Sequence, residues 1–464
     1  MRTPDPNQVL GALWRMAGQA DTALDAVTLT GAEPALPSSF AVGTAAQASV
    51  AACALAAGEL WRLRTGRRQD IGVDMRAAAV EFRSERYLHI DGKPPLDPWD
   101  RIVGLYRCGD GRWVRVHTNL PHHCAGLLAL LRCEHDRASV QRALDGWRAE
   151  ALETAAAEAG LVVTATRSFA EWDGHPQGRA VAGLPPFDIE RIGDAPPQPL
   201  PETDRPLAGI KVLDLTRIIA GPVCGRTLAA HGADVLLVTA AHLPTIHPLV
   251  IDCGRGKLSA QLDLRHARDR ATLTALLRQA DVFVQGYRPG AIGQYGFSPQ
   301  DAARLRPGIV CVSLCAYGHQ GPWADRRGFD SLVQNANGLN AAEAEAAGAG
   351  EPKPLPAQAL DHATGYLMAF AAMSALARRA TQGGSWHVRA SLAQTGHWVR
   401  NLGRIDGLDC PDPGFDQVRD CLEESDSGFG RLTAVRHSAA MSETPPRWIR
   451  PSVPLGTHAP AWPA

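Results

Sequence analysis

The distribution of apolar residues changes character about halfway along the chain. After residue 206, short and continuous apolar runs alternate with helical patterns; the runs are 210–215 (IKVLDL), 233–238 (ADVLLV), 281–284 (DVFV) and 308–314 (GIVCVSL). Strands this apolar, separated by helices, are typical of a parallel sheet that is covered by helices on both faces. We therefore predict an α/β protein with a doubly wound, Rossmann-like parallel-sheet domain over residues 207–400.

The first half of the chain follows a different pattern. Residues 105–117 (LYRCGDGRWVRVH) hold two alternating apolar runs around Gly-Asp-Gly, which is the pattern of a β-hairpin. Helical patterns follow at 122–160 and 166–180. The predicted organisation is an N-terminal helical element packing on the large domain (1–84), a smaller α+β domain (85–182), a proline-rich linker (183–206), the large domain (207–400) and an extended C-terminal tail (401–464).

One helical element occurs twice in the sequence. Residues 44–75 and 361–392 share the order of Ala-rich helix, glycine, polar turn and alternating strand. A single shift of 317 positions places Gly66 on Gly383, Ile71 on Val388 and Met75 on Leu392. The same shift places Thr44 on Asp361, so only the second copy carries a carboxylate at this position.

Asp361 stands at the start of the second helix, where Asp is a preferred N-cap residue. A purely structural cap could persist in both copies, because Thr also caps helices. A catalytic carboxylate could not be replaced by Thr. The local pattern therefore leaves two interpretations of Asp361, a helix cap and a catalytic acid.

The turn after the first apolar strand, residues 217–225 (RIIAGPVCG), leads into a helix with Pro222 in its first turn. Ligands of open α/β sheets bind at such strand ends. The turn contains neither GxGxxG nor GxxxxGK[ST]. Dinucleotide or nucleoside triphosphate binding of the standard kinds is therefore unsupported.

Charge and composition exclude several kinds of partner. Lys and Arg number 47 against 48 Asp and Glu, which argues against a general nucleic-acid or membrane surface. The first residues lack a signal-peptide pattern, and no stretch is apolar enough for a membrane span. The ten cysteines include no CxxC pair and no His/Cys metal spacing. We therefore expect reduced thiols, a cytoplasmic location and no metal or covalently bound cofactor.

Five motifs in the second half of the chain resemble the N-terminal half of CoA-transferase family III, which includes formyl-CoA transferase, carnitine CoA-transferase and α-methylacyl-CoA racemase. They are PLAGIKVLDLTRIIAGPVCGRTLAAHGADVLLV, KLSAQLDL, ADVFVQGYRPGAIGQYGF, SLCAYGHQGPWADRRGFDSLVQNANGL and the Asp361 helix. Residues 45–200 resemble the second half of the family through RTGRRQDIGVDM, YRCGDGRWVRV and EWDGHPQGRA. The two halves thus stand in swapped order and overlap at the repeated helix.

This resemblance implies a CoA-transferase in which Asp361 is the nucleophile. Asp361 would form a mixed anhydride and then an aspartyl-CoA thioester, from which an acceptor carboxylate takes the CoA. The implied partners are an acyl-CoA, a small carboxylic acid and a second copy of the chain in an interlocked homodimer. The residues that the resemblance assigns to coenzyme A binding are Ile219, Ala220, Gly221, Pro222, Lys257, Gly286, Tyr287, Arg288 and Tyr317.

Departures from the family pattern keep two other functions open. Residues 328–330 read Gly-Phe-Asp where the racemase branch has Gly-His-Asp, and phenylalanine cannot transfer a proton. Transferase is therefore favoured over an acyl-CoA racemase or isomerase. Residues 237–240 (LVTA) lack the usual charges, and Gln294 replaces an arginine of formyl-CoA transferase.

The lost charges make a catalytically silent CoA-fold binding protein the third alternative. Two missing cationic contacts to phosphate would cost on the order of a few kcal/mol of CoA affinity. The arginines that can replace them are Arg255, Arg326 and Arg327.

Overall fold

The computed structural model describes residues 3–97 and 99–463. The helices are α1 (Pro6–Met16), α2 (Val42–Thr65), α3 (Met75–Glu81), α4 (Pro121–Leu131), α5 (Arg137–Leu144), α6 (Ala149–Glu158), α7 (Phe169–Gly174), α8 (Pro176–Val181), α9 (Ala220–Ala230), α10 (His247–Cys253), α11 (Ala267–Leu277), α12 (Pro299–Leu305), α13 (Asp330–Ala336), α14 (Leu339–Ala347), α15 (Ala359–Gln382) and α16 (Leu392–Asn401). The strands are β1 (Val27–Thr30), β2 (Ile71–Asp74), β3 (His89–Ile90), β4 (Gly104–Arg107), β5 (Trp113–Val116), β6 (Val163–Ala165), β7 (Phe187–Gly193), β8 (Lys211–Leu215), β9 (Asp234–Thr239), β10 (Lys257–Gln261), β11 (Val282–Gln285), β12 (Val310–Cys315), β13 (Ser385–Ser391), β14 (Leu422–Ser427), β15 (Gly430–Val435) and β16 (Ala439–Met441).

A seven-stranded sheet organises the second half of the chain. Its order is β10-β9-β8-β11-β12-β13-β7. All neighbours pair in parallel except β13 and β7, which are antiparallel. The four apolar runs predicted as strands are β8, β9, β11 and β12, and their residues are almost all buried. The predicted α/β fold with a doubly wound parallel sheet is confirmed.

The strand order of this sheet reverses between β8 and β11. From β8 the chain continues outward through β9 and β10, and then returns to build β11, β12 and β13 on the other side. In open α/β sheets, ligands bind in the crevice at the carboxyl ends of strands where the order reverses. The turns at 216–219 and 286–288, which follow β8 and β11, lie at this crevice.

The repeated element is present twice in the structure, in the same register. Helices α2 and α15 both have 24 residues, and the shift of 317 positions relates both of their ends. Each helix stops at a glycine with positive φ, Gly66 at +72° and Gly383 at +69°, a backbone conformation that L side chains disfavour. Each is followed by a strand and a second helix, and α2 packs against α15.

Three small sheets complete the fold. β4, β5 and β6 form an antiparallel sheet, in which β4 and β5 are the predicted hairpin. β3 pairs with the β14–β15 hairpin, and β2 lies between β1 and β16. The C-terminal strands therefore pair with elements from the start of the chain.

Two segments are more ordered than the sequence predicted. The proline-rich segment 183–206 contains β7, which forms an edge of the large sheet. The tail contains β14, β15 and β16, rather than only an extended wrap. Alternating patterns in these short strands are too brief to stand out among many Pro, Gly and Ser residues.

All ten cysteines are free thiols. Across residues 3–97 and 99–463, no helix combines the length and the apolar character that a membrane crossing requires.

Candidate active site

Asp361 is the third residue of α15 and does not cap it. The N-cap position belongs to Gln358, whose side chain makes no capping hydrogen bond. Asp330 takes the capping role from α13, because its Oδ2 accepts hydrogen bonds from the backbone N–H groups of Leu360 (2.8 Å) and Asp361 (3.0 Å). The interpretation of Asp361 as a helix cap is therefore wrong, since a carboxylate from another segment already satisfies these donors.

The other copy of the element is capped in the same way. In α2, the backbone N–H of Thr44 donates to Glu33 Oε1 at 2.6 Å. In each of the two repeated helices, a carboxylate from a preceding segment thus accepts hydrogen bonds from the first backbone N–H groups. Only α15 has a carboxylate of its own, Asp361, beside the capping carboxylate.

The surroundings of Asp361 favour its protonated form. Only 6% of the residue is exposed, and burial together with the charges of Asp330 and Glu85 raises the pKa of Asp361 well above its usual value. The backbone N–H of Ala220 acts in the opposite direction and lowers this pKa in part. Burial likewise raises the pKa of Asp330. The two buried carboxyl groups are therefore not both ionised at low pH.

Glu85 comes from a different part of the chain and is held as a carboxylate. Its Oε2 lies 3.0 Å from Nε2 of His362, the residue after Asp361 in α15. Burial acts to raise the pKa of Glu85, but the contact with His362 outweighs it and lowers this pKa. Phe82 stacks on the His362 ring with centroids 5.6 Å apart. The pair is thus enclosed beside Asp361.

The turn between β8 and α9 lies beside Asp361, and both line the basic cavity described below. Ile218 in this turn has φ of +76°, a conformation that a β-branched residue adopts only at a cost of about 1–3 kcal/mol. A Cβ on Gly365 would lie 2.6 Å from the carbonyl oxygen of Ala220. The absence of a side chain at Gly365 therefore lets α15 approach the start of α9, where the helix dipole favours negative charge.

Asp361 lies where two cavities meet. One has a volume of about 520 Å³ and is called the apolar cavity. Its walls also include Glu85, His117 and Asn119. Arg86 and Asp330 also border it. The apolar side chains lining it are Pro94, Pro95, Leu96, Trp99, Ile218, Ile219, Ile246, Pro248, Leu249 and Phe329.

The second cavity has a volume of about 360 Å³ and is called the basic cavity. Within the described residues, Arg217, Arg288 and Arg327 form no ion pair with a carboxylate. Burial and the nearby Arg288 lower the pKa of Arg327, which shows that these guanidinium groups repel each other. Such a cluster binds phosphate or carboxylate groups well. The other histidine, aromatic and arginine side chains that line it are His122, His123, Tyr287, Arg326 and Phe329.

The structure brings together most of the residues that the sequence assigned to the site. Ile219, Ala220, Gly286, Tyr287 and Arg288 line the basic cavity together with Asp361. Gly221 follows directly, and a Cβ there would meet the Thr216 side chain at 2.4 Å. These residues come from the two turns at the switch point of the sheet.

Three of the assigned residues lie elsewhere. Lys257 is buried, and its Nζ donates to Asp214 Oδ2 and to the carbonyl oxygen of Pro222, both at 2.8 Å. Lys257 and Pro222 line a separate cavity of about 40 Å³. Tyr317 is fully buried against Trp323, with ring centroids 5.0 Å apart. None of the three lines either cavity that contains Asp361.

Sequence patterns missed several residues of the site. Arg217 stands beside the assigned turn, so its position next to Ile219 was an available signal. Of the three arginines that the sequence offered as replacements for the lost charges, Arg326 and Arg327 line the basic cavity, whereas Arg255 is buried in ion pairs with Asp252 and Glu423. The other missed residues, which no local pattern connects to Asp361, are Glu85, His117, His122 and His123.

We expect any reaction that uses ionised Asp361 to slow as the pH falls, because its raised pKa leaves the carboxyl protonated. Asp330→Asn removes the neighbouring negative charge, so the acid limb of the profile should move to lower pH by roughly one unit. The measurement is kcat/KM between about pH 5 and 9 for both proteins. An acid limb that does not move in the variant would contradict coupling of the two carboxyls.

The same two carboxyls also affect stability. A carboxyl with a folded-state pKa above its unfolded value contributes stability that is complete below the unfolded pKa and is lost as pH rises through the folded pKa. The free energy of unfolding should therefore fall less steeply with rising pH in Asp330→Asn than in the natural protein. Denaturant unfolding at several pH values measures this difference.

Comparison with known proteins shows which family this chain matches. The model of CoA-transferase family III matches residues 13–192 and 207–402. The acetyl-coenzyme A transferase nodX of Hypoxylon pulicicidum is 37% identical over 207 residues, which cover 44% of this chain and 35% of that protein. An acyl-CoA transferase of Gibberella moniliformis is 31% identical over 365 residues, covering 69% of this chain and 64% of that protein. The chain thus spans about one third to two thirds of the length of these curated relatives.

Solved structures are similar to this chain over a shorter length. A CAIB/BAIF family protein from Brucella suis has 29% identity and a TM-score of 0.40, covering 42% of this chain and 56% of that chain. Rv3272 from Mycobacterium tuberculosis has 29% identity and a TM-score of 0.39, covering 42% and 58%.

Proposed function

The chain belongs to CoA-transferase family III, and from this premise we propose that it moves CoA from an acyl-CoA thioester to a carboxylic acid. The observation that carries the proposal is the position of Asp361. This buried carboxyl lies between an apolar cavity and a cavity lined by unpaired arginines. An acyl-CoA has an apolar acyl group, a thioester and a phosphorylated nucleotide in the corresponding order.

The proposed reaction has two symmetrical halves. Ionised Asp361 attacks the thioester carbonyl, the C–S bond breaks, and the CoA thiolate leaves behind an acyl-aspartyl anhydride. The thiolate then attacks the aspartyl carbonyl, which releases the donor acid as a carboxylate and forms aspartyl-CoA. The acceptor carboxylate attacks this thioester to give a second anhydride, and the thiolate attacks the acceptor carbonyl. Free Asp361 and the new acyl-CoA result, with no net oxidation.

The surroundings of Asp361 supply what this chemistry needs. Low exposure removes the hydration shell that makes an ordinary carboxylate a weak nucleophile. The Ala220 N–H at the start of α9 faces the carboxyl and can stabilise developing negative charge on oxygen. The raised pKa has a cost, because it reduces the fraction of Asp361 that is ionised at a given pH.

Trapping of the aspartyl-CoA tests the proposal. Incubation with an acyl-CoA and hydroxylamine should convert Asp361 to its hydroxamate, and borohydride should reduce the same thioester to the alcohol. Peptide mass spectrometry identifies the modified residue, and Asp330 is the internal control in the same digest. Modification of another residue, or of none while CoA transfer proceeds, would rule out Asp361 as nucleophile.

We expect the arginines of the basic cavity to determine affinity for the CoA nucleotide. A hydrogen bond to a charged group contributes about 1.5–3 kcal/mol, so Arg288→Gln and Arg327→Gln should each raise KM for acyl-CoA by roughly 10-fold or more with little change in kcat. Arg304→Gln is the matched control, because its side chain is 72% exposed and pairs with Asp301. An unchanged KM in both cavity variants would place the nucleotide elsewhere.

An acyl-CoA isomerase or racemase is the second candidate, favoured by one observation. His117 stacks on Phe329 with centroids 4.4 Å apart and lines the apolar cavity with Glu85 and Asp361. Burial lowers the pKa of His117 to about 3, so its imidazole is neutral at pH 7. A neutral imidazole and a carboxylate can both accept an α-proton. Exchange of the α-hydrogen with deuterated solvent, without trapping at Asp361, would favour this reaction over transfer.

A silent binding protein is the third candidate, and calorimetry separates it from both enzymes. Tight CoA binding without transfer or α-exchange would leave binding as the function. Absence of CoA binding would exclude both enzymes.

We further infer that one chain holds a complete site, so that activity does not require the homodimer that the resemblance implies. Residues 117–123 and residues 217–220 line the same cavities within one chain. Activity per chain should therefore be independent of protein concentration. Light scattering at the assay concentrations measures the mass, and activity confined to a dimer would contradict this expectation.

A further inference from the structure

Three donor atoms of different chemistry converge beside the apolar cavity. Nε2 of His135 lies 2.9 Å from Oδ2 of Asp100 and 3.4 Å from Sγ of Cys124. All three atoms lie within 4.8 Å of one another. One ring nitrogen carries at most one hydrogen, so in the bare protein it cannot serve both the carboxylate and the thiol with a full hydrogen bond.

Each ligand comes from a different segment, and Asp100 is held firmly. Its Oδ1 accepts hydrogen bonds from Thr118 Oγ1 (2.8 Å) and from the backbone N–H of Ile102 (3.1 Å), which leaves Oδ2 for His135. Its backbone N–H donates to Asn119 Oδ1 at 2.9 Å. Cys124 lies in the first turns of α4, and His135 lies in the loop before α5. Hydrogen bonds such as those to Asp100 orient the ligand residues of metal sites.

The donor set selects the metal. Mg²⁺ and Ca²⁺ prefer oxygen ligands alone, whereas a thiolate, an imidazole and a carboxylate together suit Zn²⁺. Three protein ligands leave the fourth tetrahedral position to water. We propose that Asp100, Cys124 and His135 form a Zn²⁺ site. The ligands are 24 and 11 positions apart, a spacing that matches no standard sequence motif, which is why the cysteine pattern predicted no metal.

The site connects to the wall of the apolar cavity. Trp99 precedes Asp100 and lines that cavity, as does Asn119, which holds the Asp100 backbone. A bound Zn²⁺ joins the segment that carries Trp99 to α4 and to the loop before α5. It therefore fixes one side of the cavity without contacting the ligand there.

Direct metal binding tests the site. The full chain is stripped with a chelator and titrated with Zn²⁺ against a chromogenic indicator, and Co²⁺ is used separately as an optical probe. We expect one tight Zn²⁺ per chain and a sulfur-to-metal charge-transfer band with Co²⁺. Cys124→Ser should abolish the band, and Thr118→Val, which removes only the hydrogen bond to Asp100 Oδ1, should weaken Zn²⁺ binding by about 10-fold.

Two further variants keep the result interpretable. Cys133→Ser removes a thiol that lies two residues after the end of α4 and is not one of the three ligands, so its Zn²⁺ affinity should be unchanged. His135→Asn tests a ligand outside α4, and should weaken binding by about 100-fold or more. No stoichiometric Zn²⁺ binding by the natural protein, or equal loss in Cys133→Ser and Cys124→Ser, would overturn the proposal.

Discussion

Replacing Asp361 by asparagine should lower CoA transfer by at least about 10³-fold, because an amide cannot form the anhydride and removal of a covalent nucleophile typically costs this much or more. The measurement is the rate of acyl-CoA formation with saturating donor and acceptor. Binding of CoA should change little, since the arginines of the basic cavity are untouched.

The fold of this variant should survive, and its stability distinguishes catalysis from capping. Asp361 accepts no cap hydrogen bond in α15, and its charge is repelled by Asp330 and Glu85. Asp361→Asn should therefore leave the free energy of unfolding at pH 8 unchanged or raise it by about 1 kcal/mol. A loss of a few kcal/mol together with activity would point to a structural role instead.

The repeated helix offers a matched control for this experiment. Thr44 occupies the equivalent position of α2, and it lines none of the cavities that contain Asp361. Thr44→Val should leave transfer within about twofold of the natural rate, as expected for a residue outside the reaction. Loss of transfer in Thr44→Val would show that the two positions are not independent.

The strands and the repeat could be predicted from sequence because both are local. Four apolar runs of the large sheet are buried on both faces, so their composition alone distinguishes them from the rest of the chain. The repeat is marked by glycines that end its helices, and those glycines have positive φ in the structure. Such signals need only a few neighbouring residues.

The cap and the charges of the site could not be predicted because they depend on distant segments. Asp330 reaches α15 from 31 positions before Asp361, and Glu85 belongs to the other end of the chain. Lys257 resembled a phosphate ligand by position, but the fold buries it against Asp214. The sequence shows that a charged side chain will need an opposite charge or a hydrogen-bond partner if it is buried. Which residue becomes that partner depends on the fold.

A second large effect, on the free energy of unfolding, is expected from substitution of Asp252. This residue of α10 contacts both α9 and the first part of the chain. Asp252 is almost completely buried and contacts Arg226 at 2.6 Å and Arg255 at 2.9 Å, while Ser84 Oγ donates to it at 2.6 Å. Burial acts to raise the pKa of Asp252, but the two guanidinium groups outweigh it and lower this pKa to about 2. The stability gained from this ionised carboxyl is therefore present above its unfolded pKa and is lost only as pH falls through about 2.

Asp252→Asn should lower the free energy of unfolding at pH 7 by about 3–5 kcal/mol, because it leaves the buried guanidinium of Arg226 without its carboxylate and leaves Arg255 with Glu423 alone. Denaturant unfolding followed by circular dichroism measures the change. Asp416→Asn is the control: its side chain is 82% exposed and pairs with Arg419, so its effect should stay within about 0.5 kcal/mol. A loss below about 1 kcal/mol in Asp252→Asn would mean that water reaches the two arginines. Because Ser84 precedes Glu85 and α10 carries Leu249, the same variant should also loosen the apolar cavity on two sides and raise KM for long acyl donors.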